Sequence, residues 1–141
     1  MTIRWKPSLS VGIESIDEQH KELIRRSAKF LEGVSGRSRQ DVGVLLSYLR
    51  TYAVAHFGEE EEAMRAADYP GYQRHKAQHD RFLADLLALS KEQERPRGTG
   101  VPPEELGRWL REWIVGHVSR TDAEMARYFL HRATDFPAGQ R

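Results

Sequence analysis

Cysteine is absent from the 141 residues, which removes disulfides, iron–sulfur clusters and thiolate-bound zinc together. A metal in this chain has to be held by nitrogen and oxygen. An excess of one charge is missing too: 22 basic and 21 acidic residues give a formal net charge of +1 and are spread over the whole length. No basic face therefore advertises nucleic acid or an anionic lipid surface. Long apolar runs are lacking; the start, Met-Thr-Ile-Arg-Trp-Lys-Pro, has no signal-peptide core, and nothing approaches membrane-spanning length. A cytoplasmic location with no membrane and no nucleic-acid partner is the expectation. Strand alternation, internal repeats and low-complexity tracts are also wanting. What stands out is six histidines, and their positions matter more than their number.

The length suits one domain, residues 1–141, with a single core. Residues 1–15, with Trp5, Pro7 and Gly12, show no helical period and read as an extended N-terminal arm. Four helical stripes follow within 16–132, and 133–141 forms a short tail. The first helix, 16–33, has capping-box spacing at Ser15 and Glu18, carries Ile16, Leu23, Ile24, Phe30 and Leu31, and stops at Gly33 and Gly36. A second, 39–66, follows Val42, Leu45, Leu49, Tyr52, His56, Glu60 and Met64 to a tight turn at Asp68-Tyr69-Pro70-Gly71. The third, 71–93, carries Tyr72, His75, His79, Phe82, Leu83, Leu86 and Leu89. The fourth, 103–132, opens on Pro103 and carries Leu106, Leu110, Trp113, Ile114, His117, Met125 and Phe129. Short connections predict an all-α, antiparallel up-down-up-down four-helix bundle, with 91–103 the longest and loosest link.

Polar residues interrupt these apolar stripes: His20 on the first helix, His56 and Glu60 on the second, His75 and His79 on the third, His117 on the fourth. Residues four apart sit about 40° from each other around a helix, so each pair presents two donors to one spot. One His-x-x-x-Glu pair means little, since that spacing is common on helix surfaces. Five imidazoles and a carboxylate phased into four separate stripes mean more, because burying them unpartnered costs several kcal/mol each and a metal satisfies them together. His131 lies beyond the last stripe and is expected on the surface. Glu59 to Glu62 reads as a solvated charge run in which only Glu60 shares the phase of His56. Asp122 follows His117 by five residues, which in a regular helix leaves the two about 140° apart. For both to face one metal, a π-type turn is required near 117–122.

Taken in order, these residues resemble the hemerythrin family, its bacterial single-domain members in particular. Trp5, Ser10-Val11-Gly12-Ile13 and Ile16-Asp17-Glu18-Gln19-His20 look like that family's arm and first ligand. His56-Phe57-Gly58-Glu59-Glu60 resembles its H-F-x-x-E element, His75-Lys76-Ala77-Gln78-His79 its H-x-x-x-H, and His117 through Asp122 its H-x-x-x-x-D. The resemblance implies two non-haem irons with an oxo or hydroxo bridge. It places His75, His79 and His117 on one iron, His20 and His56 on the other, and Glu60 and Asp122 between them. Those donors and the bridge fill all but one position of two octahedral irons, and the vacancy, on the iron with two histidines, is where the family takes up dioxygen. Ile24, Trp113 and Ile114, within one turn of His20 or His117, are the candidates for an apolar wall around it.

An oxidase of the ferritin-like class would use Glu-x-x-His pairs, and this chain has none, only Asp17-x-x-His20. His-Glu-x-x-His, a Gly-rich phosphate loop and a nucleophile with a paired base are lacking as well, so a non-enzymatic oxygen carrier, store or delivery protein is expected. The tail from Ala133 to Arg141 is too short for a signalling output. The alternative is an oxygen or redox sensor acting through a separate signalling protein, where a carrier would instead serve an oxygen-consuming one.

Overall fold

A computed structural model describes residues 3–135, with side chains placed for 3–131. Five α-helices make up four rods: α1 (Glu14–Leu31), α2 (Arg39–Ala66), α3 (Tyr72–Glu94), and a fourth rod of α4 (Pro103–Trp113), a π-helical segment (Ile114–Thr121) and α5 (Asp122–Asp135). No strand occurs among the described residues. Successive rods pack side by side, α3 meeting the fourth through Phe82 against Trp109 and the Trp109 indole N–H donating to Asp85, and the fourth closes against the first, giving the expected up-down-up-down bundle.

Helix boundaries follow local chemistry. Helix α2 starts at a capping box in which the Asp41 N–H donates to Ser38 Oγ at 3.0 Å and the Ser38 N–H to the Asp41 carboxylate at 2.9 Å. The box expected at Ser15 and Glu18 does not form. Helix α1 opens two residues earlier, after Ile13, with no side-chain cap, and the Ser15 hydroxyl reaches across to Glu59 instead. Asp17 ties the arm to that first turn by accepting from the Val11 N–H at 2.8 Å and from Ser10 Oγ. The arm is therefore not extended throughout, and includes a 3-10 turn at Pro7–Leu9. Helix α1 ends two residues short of the expected limit because Gly33 takes a left-handed φ of 68°, which glycine adopts at little cost. The Asp68–Gly71 turn forms, with Asp68 at φ 52°.

The connection between α3 and α4 is tied down despite its composition. Arg39 donates to the carbonyls of Gly98 and Gln93, both at 2.7 Å, and the Gln93 side chain accepts from the Val101 N–H at 2.9 Å. Val101 is buried as a result. At the other end, α5 runs to Asp135, past the expected limit of 132, and residues 136–141 of the expected tail lie outside the described residues.

Among the described residues the core consists of two apolar clusters. The larger holds Leu23, Ile24, Leu49, Phe57, Phe82 and Leu106 among others; the smaller holds Val11, Ile16, Met64, Met125 and Ala126. Along α2 the larger cluster runs from Val42 to Phe57 and the smaller takes Met64, so His56 and Glu60 fall at the boundary. Burial of each large apolar side chain stabilises the bundle by about 1.5–3 kcal/mol, which supplies the free energy for a polar layer between the clusters.

Candidate metal centre

All seven predicted donors meet in that layer, and all are buried, none more than 3% exposed. Helix α1 supplies His20, α2 His56 and Glu60, α3 His75 and His79, the π segment His117, and the first residue of α5 Asp122. The π segment is what admits Asp122. Its wider turns take more residues per revolution, so a spacing of five brings the carboxylate to the face that His117 occupies.

The donors form two sets sharing both carboxylates. One comprises His75, His79, His117, Glu60 and Asp122, the other His20, His56, Glu60 and Asp122, and within each set the donor atoms lie within 4.8 Å of one another. Each carboxylate turns one oxygen to each set. Glu60 Oε1 is 3.2 Å from His75 Nε2 and 3.1 Å from His79 Nε2, while Oε2 is 2.8 Å from His56 Nε2 and 3.5 Å from His20 Nε2. Asp122 Oδ1 is 3.0 Å from His75 Nε2 and 3.1 Å from His117 Nε2, and Oδ2 is 3.1 Å from His20 Nε2.

These separations are those of hydrogen bonds, but most of the directions are not. His79 Nε2, His117 Nε2, Glu60 Oε2 and both oxygens of Asp122 are buried without a hydrogen-bond partner. His20 Nε2 and His56 Nε2 face each other at 2.9 Å. The donor atoms thus converge on shared points with too few protons to pair them all, an arrangement that in a dry core is satisfied by cations. The residues present fit a pair of metal ions bound by nitrogen and oxygen.

Without metal the charges settle differently. Burial alone would lower the pKa of His20, but the close approach and negative charge of Asp122 and Glu60 raise it to about 10. His75 is held up at about 9 by the same carboxylates, again against burial. Burial opposes ionisation of Glu60 and Asp122 as well, yet the surrounding histidines hold both carboxyls below their usual range. His117 is pushed down by burial. Two imidazolium ions among two carboxylates make a neutral core.

Three imidazoles are fixed from behind, which the sequence reading missed. The His56 Nδ1–H donates to Gln19 Oε1 at 2.5 Å, that of His79 to Glu61 at 2.9 Å, and that of His117 to Gln78 Oε1 at 2.7 Å. Each bond puts the proton on Nδ1 and leaves Nε2 free to bind. The same three rings are stacked: Tyr52 on His56 (4.8 Å, 16°), Phe57 on His79 (3.9 Å, 5°) and Trp113 on His117 (3.9 Å, 9°). Glu59 accepts from the Gln19 amide at 2.7 Å, so both Glu59 and Glu61 leave the solvated run to orient histidines. The only hint in the sequence was their adjacency to Glu60. His131 is exposed and lies outside the cluster, as expected.

Of the three expected wall residues, Ile24 and Ile114 are buried and line the inner side of a cleft whose outer rim is the arm, at Ile3, Arg4 and Leu9. Trp113 does not line that cleft and lies flat on His117.

The hemerythrin HHE cation binding domain model matches residues 11–129. The chain is 30% identical over 137 residues to the bacteriohemerythrin of Ralstonia nicotianae, covering 94% of this chain and 93% of the relative. It is 29% identical to that of Methylococcus capsulatus over 75% of this chain and 79% of the relative. Hemerythrin subunit 1 of Golfingia vulgaris is 29% identical over 84% of this chain and 85% of its own. A crystal structure of a hemerythrin point mutant superposes with a TM-score of 0.78 at 25% identity, covering 91% of this chain and 98% of that one. The chain belongs to the hemerythrin family, a family of non-haem iron proteins that bind dioxygen.

Proposed function

We propose that the chain holds two non-haem irons and binds dioxygen reversibly, as a carrier, store or delivery protein. His75, His79 and His117 bind one iron, His20 and His56 the other, with Glu60 and Asp122 shared and an oxo or hydroxo bridge between the metals. The observation that carries this reading is that both carboxylates turn one unshared oxygen to each of two histidine sets, of three and two. Equal carboxylate shares and unequal histidine shares leave the two-histidine site with one donor fewer. Bound there, a pair of ferrous ions supplies the two electrons that dioxygen takes up and returns.

The protein's own part is to hold and to exclude. Gln19, Glu61 and Gln78 fix the metal-facing nitrogens of His56, His79 and His117. Ile24 and Ile114 wall the two-histidine side and, with Trp113 against His117, keep out the water and protons that would convert bound dioxygen irreversibly. A ligand set with five imidazoles favours binding over the carboxylate-rich surroundings of oxidases. The test is to load the chain with iron, reduce it anaerobically, admit oxygen, follow the visible iron charge-transfer bands, and then remove the oxygen. Colour that appears and fades supports the proposal. Irreversible oxidation with turnover of a reductant favours an oxidase, and fewer than two retained irons ends the two-iron reading.

A further inference from the structure

The wall on the two-histidine side contains one hydroxyl group with nothing to bond to. Tyr52 lies one turn before His56 on α2, and its ring stacks on that imidazole. In an antiparallel bundle, one turn before His56 on α2, one turn after His20 on α1 and one turn before His117 on the fourth rod all lie at the same height. Tyr52, Ile24, Trp113 and Ile114 therefore cover the same face of the donor layer, within or packed against the larger cluster. Tyr52 is 7% exposed, and its Oη is buried without a hydrogen-bond partner. Burial pushes the phenol well above its ordinary pKa, and the nearby charges of Glu60 and Asp122 push it further, so it keeps its proton at neutral pH. A buried donor without an acceptor is costly, and phenylalanine would fill the same space without that cost.

We propose that Tyr52 is a positioning donor for the small ligand, its unpartnered hydroxyl donating to the outer atom of dioxygen or of a linear anion held at the His20 and His56 side of the centre. This rests on the two-iron reading above. Trp113 carries the other unpartnered donor in the wall, its indole N–H, but its ring is committed to His117 in the three-histidine set. Tyr52 stacks on a histidine of the two-histidine set, the side with a donor to spare. The class of ligand follows: molecules whose far atom accepts a hydrogen bond are retained in an otherwise apolar pocket, and those without such an atom gain nothing from it.

Azide is the probe, added to the iron-loaded, oxidised full chain. In the wild type, infrared spectroscopy of bound azide should show a shift of the azide stretch between water and heavy water, because an exchangeable proton is hydrogen-bonded to it. Tyr52→Phe should retain two irons per chain, bind azide about tenfold more weakly, lose oxygen about tenfold faster, and lose the solvent isotope shift. A purely structural role would alter iron content or the urea midpoint and leave the isotope shift in place. Absence of the shift in the wild type overturns the proposal without any variant. So do a Tyr52→Phe protein with unchanged azide affinity and shift, or a Trp113→Phe protein that alone loses them. A wild type that fails to retain two irons removes the centre itself, and that outcome is read before azide is added.

Discussion

In the metal-free protein the centre stores two protons, and metal has to displace them. His20, with a pKa of about 10, belongs to the two-histidine set, and His75, at about 9, to the three-histidine set. Neither imidazolium can bind a cation, whereas Glu60 and Asp122 are already ionised across the neutral range. Loading each site therefore releases one proton below pH 9. The affinity of each site should rise about tenfold per pH unit between pH 7 and 9, equivalent to about 1.4 kcal/mol per unit, and flatten as the pH passes 9 for one site and 10 for the other. Filling both sites should release about two protons per chain at pH 7 from the imidazolium ions, besides one more where water becomes a hydroxo bridge. The assay is competition between the apoprotein and a chelator of known affinity for ferrous ion, run anaerobically, with proton release read by an indicator in weak buffer. An affinity that does not change with pH, or a loading step without proton release, would refute the assignment of charge in the empty core.

Stability of the apoprotein should run the other way. A folded-state pKa raised above the unfolded value of about 6.5 stabilises the fold fully below that value, and the contribution is lost as the pH rises through 9 and 10. The lowered carboxyls contribute above their unfolded pKa values and lose the contribution in acid. Apoprotein melting should fall from pH 7 to 10 while metal affinity climbs, a divergence that nonspecific alkaline damage does not produce.

Other expectations follow from single contacts. Gln78→Leu removes the acceptor shared by the His117 Nδ1–H and the Thr121 hydroxyl (2.7 and 2.9 Å), and should weaken the three-histidine site by about 10- to 100-fold in the same chelator competition. Ile114→Asn brings a polar side chain to the inner wall and should hasten decay of the oxygenated colour; an unchanged autoxidation rate would count against the wall. Leu49→Ala empties a fully buried position in the larger cluster and should cost about 2–5 kcal/mol in urea unfolding. Ser38→Ala breaks the capping box of α2 and should cost about 1 kcal/mol in the same assay, with iron content unchanged.

The rods were legible because their apolar residues recur at helical spacing, and α2 was placed to the residue since Ser38 and the Asp68 turn bound it on both sides. At the start of α1 a tertiary contact had taken over a local group: Ser15 looked like a cap until Glu59 came within its reach from α2. Six of the seven donors could be found because each shares the phase of an apolar stripe. Gln19, Glu61 and Gln78 do not. Each acts on a histidine of another helix, so its role exists only once two rods are side by side, and no spacing along one rod reports it.

Asp122 marks the boundary between these two kinds of legibility. Its spacing from His117 conflicts with the regular helix around it, and the conflict itself pointed to a π turn near 117–122. The π segment observed is longer, running from Ile114, so it includes one wall residue and His117 as well. A straight α-helix would turn either the carboxylate or the following face, Met125 and Ala126, away from the core. The wider turns let His117 and Asp122 meet the donor layer while Met125 and Ala126 still pack into the smaller cluster. The irregular helix thus lets the fourth rod serve both the polar layer and the apolar packing beneath it.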